Sequence, residues 1–148
     1  MASNKLLSLC TTLFFCIAVS TTTVFAEQKK SIPGYDVHYM AFSTSMLTPE
    51  IAKSYRIQRS KTRAIVTISM LDAETQAASA GLVRGEVRNA VGQLQTLDFQ
   101  KVQEQEAIYY LATFRFVDAE TLKFKIEMGP KKATKLHDIE FSQQFFIE

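Results

Sequence analysis

The chain has 148 residues, with 17 Lys and Arg against 15 Asp and Glu, a net charge of +2, two cysteines and no tryptophan. A length of this order suits one domain built on one core. So small a net charge gives no field for nucleic acid or an acidic polymer, which leaves local clustering as the only route to anion binding.

Residues 1–26 read as a secretory leader. Lys5 is its only charge, Leu6 to Val19 is an apolar run, and Val24-Phe25-Ala26 ends it in a cleavage pattern ahead of Glu27. The alternative is a retained anchor, because Leu6 to Val24 approaches the ~20 residues that span a bilayer; Ser and Thr near its end weigh against that. Lipidation of Cys16 is disfavoured by Phe14-Phe15 just before the thiol. Cleavage between Ala26 and Glu27 delivers residues 27–148 to the periplasm as a single domain with no transmembrane segment. Cys10 and Cys16 leave with the leader, so thiol nucleophiles, thiolate metal sites and disulfides leave too.

Along the mature chain, Lys29 to Gly34 is a polar lead-in closing on the turn pair Pro33-Gly34. Tyr35 to Phe42 reads as the first strand. Thr48-Pro49-Glu50 combines a capping hydroxyl, a proline at the first helical position and an acid in the first turn, which predicts a short helix to about Tyr55. After the charged connector from Arg56 to Arg63, Ala64 to Leu71 is a strand packed on both faces. Asp72 to Ala80 reads as a loop or a frayed turn. Leu82 to Ala90, with Gly85 as a candidate bulge, pairs as a hairpin with Leu94 to Val102, and Ile108 to Phe116 alternates as a long strand. Leu122, Phe124, Ile126 and Met128 against Lys123, Lys125 and Glu127 give the cleanest period-2 pattern, and Ile139 to Ile147 closes the chain. About six or seven strands with one early helix predict a mostly β fold, an immunoglobulin-like antiparallel β-sandwich.

No catalytic constellation stands out. The two imidazoles, His38 and His137, lack triad-like neighbours, and there is no Gly-x-Ser-x-Gly turn or Gly-rich phosphate loop. Glu104 and Glu106 stand two apart without a cleft to serve. Tyr109, Tyr110, Phe114 and Phe116 suggest a stacking platform, but core packing explains such a stripe more simply. His38 and Met40 point the same way on a strand, with Met46 nearby, and form a soft donor pair suited to copper; the competing reading is an ordinary strand histidine and a packed thioether. Lys53, Arg56, Arg59, Lys61 and Arg63 are the densest cation run, with no acid between Glu50 and Asp72. Its ordinary role is a solvated helix end and connector; its functional role is capture of an anionic envelope component or an acidic protein face.

From Val37-His38-Tyr39 and Ala41-Phe42, through Leu47-Thr48-Pro49-Glu50-Ile51-Ala52 with Tyr55, to Arg59-Ser60-Lys61 and Arg63, the chain resembles the DUF4426 family, exported proteins of Gammaproteobacteria. Ala107-Ile108-Tyr109-Tyr110-Leu111-Ala112 and Phe141-Ser142-Gln143-Gln144-Phe145-Phe146 resemble its later segments. The resemblance implies a periplasmic single domain, a β-sandwich, and brings no catalytic residues. A small polar residue is usual in that family where Met40 stands, which weakens a shared copper site. The function expected is a non-enzymatic periplasmic interaction or accessory module without a cofactor, the alternatives being a small-ligand or copper carrier and, further off, an enzyme whose site is assembled from distant strands.

Overall fold

The alternation that reads as strand in the sequence is realised as two antiparallel sheets. The computed structural model describes residues 27–147; the segment read as a leader, the Ala26 side of its expected cleavage site and both cysteines lie outside the described residues. In chain order the elements are β1 (Gln28–Ile32), β2 (Tyr35–Ser43), a 3-10 turn (Thr44–Met46), α1 (Pro49–Ser54), β3 (Arg63–Asp72), β4 (Leu82–Asn89), β5 (Leu94–Leu97), β6 (Gln100–Glu104), β7 (Ala107–Arg115), β8 (Glu120–Gly129) and β9 (His137–Phe145). One sheet runs β1-β2-β3-β7-β6 and the other β5-β4-β8-β9. They pack as the immunoglobulin-like sandwich that the pattern predicts.

The core lies where the two inner faces meet. Leu122, Phe124, Ile126 and Met128 of β8 are fully buried, while Lys123 and Lys125 between them face solvent. Opposite stand Val37, Tyr39 and Ala41 of β2, Ala64, Val66 and Ile68 of β3, and Tyr110, Ala112 and Phe114 of β7. Aromatic rings join the layers: Phe124 stacks on Phe141 at 4.5 Å and 6°, meets Phe114 edge-on at 5.2 Å, and Phe141 lies 4.5 Å from Tyr39. Burying this apolar core, rings and aliphatic side chains together, stabilises a chain whose described part holds no cysteine.

Among the described residues there are nine strands where the alternation predicts six or seven. One extra is β1, which lies in the polar lead-in. It pairs with β2 from Gln28↔Tyr39 to Ile32↔Tyr35, turning through Pro33 and Gly34 at φ 81. As an edge strand it is exposed almost throughout and needs no apolar face, so its lysines hide it from periodicity. The second extra arises because Leu94 to Val102 is not one strand. β5 pairs with β4, the chain breaks at Asp98-Phe99, and β6 crosses to pair with β7 in the other sheet. Leu97 is turned into the core while Val102 faces outward, a change of side that uninterrupted alternation does not reveal.

Gly85 is not a bulge, because its register with Leu97 and Ile126 is continuous. A Cβ there would lie 2.8 Å from the Lys125 carbonyl oxygen, so the glycine permits close approach of two strands.

Candidate functional site

The outer face of the five-stranded sheet is covered in part by α1 and the connection that follows it. Thr48 caps the helix, its hydroxyl accepting the Ile51 N–H at 3.3 Å, and Pro49 begins it, as the sequence predicts. Its end is a double-bonded cap: Ile57 N–H reaches the Ala52 carbonyl at 2.8 Å and Arg56 N–H the Lys53 carbonyl at 3.1 Å, with Arg56 at φ 56. The connection is then tied to the 3-10 turn. Thr44, fully buried, accepts the Ser60 N–H at 3.0 Å and directs its own hydroxyl to the Ser60 and Arg63 carbonyls, both at 3.2 Å. Arg59 Nη2 donates to the Ser45 carbonyl at 2.9 Å.

Between this cover and the sheet lies an apolar groove of about 180 Å³. Its floor is Phe42 of β2, Ile65 and Thr67 of β3, Val102 of β6, and Tyr109 and Leu111 of β7. Leu47, Ile51, Tyr55 and Ile57 form the roof. The Tyr55 hydroxyl closes one end by donating to Glu104 Oε1 on the far edge strand. That hydrogen bond, with burial and the nearby charge, pushes the Tyr55 phenol up from its ordinary pKa. A larger depression, about 840 Å³, opens near Arg115 and Glu120, but polar groups such as Asn89, Gln93 and Gln95 line it.

The five cations of the run stand on α1, on the connection and at the start of β3, and they divide by role. Arg59 is held by the Ser45 carbonyl, and its charge, after hydrogen bonds from the Glu50 N–H and the Thr48 hydroxyl, helps hold the Glu50 carboxyl below its ordinary pKa. No described carboxylate lies within 4.0 Å of a cationic atom of Lys53, Arg56, Lys61 or Arg63. Arg63 stands directly opposite Arg115 in the β3–β7 ladder, a neighbour that sequence reading missed because the two are far apart along the chain.

His38 and Met40 share the outer face of β2. His38 Nδ1 is 3.4 Å from Glu27 Oε1, and its Nε2 is buried without a hydrogen-bond partner. His137 begins β9, in the other sheet, so the two imidazoles belong to different layers. Among the described residues no three His, Cys, Asp or Glu side chains gather to hold a metal. Glu106 lies in the β6–β7 turn, outside the strand that Glu104 ends. Tyr110, Phe114 and Phe116 are core residues, whereas Tyr109 faces the groove. No helix among the described residues is long and apolar enough to cross a membrane.

The sandwich with one roofed outer face places the chain in a class of small two-sheet β domains. Residues 29–148 match the model of a domain of unknown function, DUF4426, and the chain belongs to that family. It is similar to the crystal structure of a DUF4426 family protein from Pseudomonas aeruginosa PAO1, with 29% identity and a TM-score of 0.70 over 82% of this chain and 96% of that one. FetP of uropathogenic Escherichia coli strain F11, as isolated, shares the fold at 10% identity and a TM-score of 0.58, over 82% of this chain and 94% of that one. A copper-bound variant of FetP gives the same identity and TM-score, over 81% and 95%. No curated protein matches the chain.

Proposed function

We infer that the protein is a non-enzymatic accessory module of the bacterial envelope, exported to the periplasm and cleaved after Ala26, which meets an anionic partner through the connection after α1. One observation carries this reading: Lys53 on α1, Arg56 and Lys61 on the connection and Arg63 at the start of β3 have no described carboxylate within 4.0 Å. Cations with no other structural partner on a surface held in place by Thr44 and Arg59 are available to a ligand.

Lys53 and Lys61 are exposed, so reversing both to Glu should leave the melting temperature unchanged. A photo-cross-linker at position 58 in living cells should then lose an adduct that mass spectrometry identifies in the wild type. Retention of the same adduct in the reversed protein refutes the basic face.

A copper carrier is the second reading, favoured by the buried, unpartnered Nε2 of His38 beside Met40 and by the copper-bound FetP variant of like fold. The donor pair fits copper in its softness but supplies only one imidazole and one thioether. Titration with Cu(I) under reducing conditions decides it: micromolar binding that His38→Ala abolishes supports the carrier, and its absence removes it.

A further inference from the structure

We propose that the apolar groove is a binding site for a small anionic amphiphile, a medium-chain carboxylate whose tail enters between α1 and the sheet and whose head meets Arg63. The proposal rests on the reading of the basic connection as an anion-facing surface and names the ligand class that surface takes.

Size sets the tail. A dry cavity of about 150 Å³ suffices to bind benzene, and the groove holds about 180 Å³. One ring, or the inner part of a chain of roughly eight carbons, fills it. Ile51 at 44% and Tyr109 at 38% exposure show an open mouth, so entry needs no unfolding of the cover.

Charge sets the head. Arg63 lies on the same outer face of β3 as Ile65, two residues on, about 7 Å from the floor at the strand's rise. Across the ladder stands Arg115, on the same face. Like charges directly opposed on neighbouring strands repel, and no described carboxylate lies within 4.0 Å of either. A carboxylate between the two guanidinium groups relieves that repulsion through charge-assisted hydrogen bonds. The walls thus select an apolar tail and the end of the floor selects an anion.

The test compares three ligands of one tail length by calorimetry, with backbone NMR shifts to locate them: sodium octanoate, 1-octanol and octylammonium. Octanoate should shift Ile65 and Tyr109 and bind roughly tenfold or more tighter than octanol, the scale of one charge-assisted hydrogen bond, with octylammonium weakest. Arg63→Gln should bring octanoate down to the level of octanol without changing octanol itself, and Ile51→Ser, at an exposed site, should weaken both. Equal binding of octanoate and octylammonium, an unaltered preference in Arg63→Gln, or no groove shifts at millimolar octanoate would overturn the site. So would flotation with phosphatidylglycerol vesicles in the absence of an octanoate shift, which assigns the face to a membrane surface. Lys53→Glu with Lys61→Glu should still bind octanoate, so loss of the cross-linked partner and loss of the amphiphile are separable results.

Discussion

Asp36, the one carboxylate of β2, is firmly held. Lys29 Nζ lies 2.7 Å from its Oδ2, Ser31 donates to Oδ1 at 2.7 Å, and Gln76 Nε2 donates to Oδ2 at 3.0 Å. Led by the lysine, these donors hold its carboxyl far below the usual carboxylate range. A depressed folded pKa means stability that is present above the unfolded value, about 3.9, and lost as pH falls below it towards the folded value. Asp36→Asn should therefore melt at a lower temperature than the wild type at pH 7, and the deficit should narrow as thermal melts are taken from pH 4 towards pH 2. A deficit constant over that range would show that the charge is not its source. In the sequence Asp36 is only a polar residue within a strand. Lys29 and Ser31 come to it by hairpin pairing and Gln76 by a loop after β3, so no local pattern predicts its low pKa.

Elements show the same division. The start of α1 is legible because a cap is a local device: Thr48, Pro49 and Glu50 act within one turn. Its end also falls where expected, at Ser54 with Tyr55 as the cap, but the device that makes it is hidden, because Arg56 takes the left-handed conformation at φ 56 where glycine is the usual residue. That conformation costs an L side chain roughly 1 kcal/mol. Arg56→Gly should recover about 1 kcal/mol, seen as a higher urea midpoint with an unchanged slope; no rise would show that the cap carries no strain. The burial of Ala64, Ile65 and Val66 in succession is the element-scale sign that β3 is covered on both sides, and it is readable in the sequence. The groove behind Ile65 follows from it, but the residues of β6 and β7 that complete the floor arrive through strand pairing. Arg115 reaches Arg63 in the same way.

At the scale of the molecule, Tyr110 joins the layers. From β7 its hydroxyl donates to the Gly81 carbonyl at 2.9 Å and accepts the Gly81 N–H at 2.8 Å, just before β4 opens the second sheet. A side chain at position 81 has no room, since a Cβ would lie 2.3 Å from the Gly129 carbonyl oxygen. Tyr110→Phe keeps the ring in the core and strands two buried backbone groups, so it should cost about 1–3 kcal/mol in urea unfolding. A cost near zero would mean that water or a shifted backbone replaces the hydroxyl.

The composition of the core, the β class, the early helix and the cation run are properties of neighbouring residues, and the sequence by itself determined them. Period-2 alternation is enough to bury one side of a strand, and a hydroxyl followed by proline is enough to begin a turn of helix. Which sheet each strand joins, the passage from β5 to β6 at Asp98-Phe99, the exposed edge β1, the groove under α1 and the facing of Arg63 by Arg115 were decided only in the tertiary structure. Each depends on which distant backbone completes a ladder, and that choice is made by the packing of two whole faces rather than by any single segment.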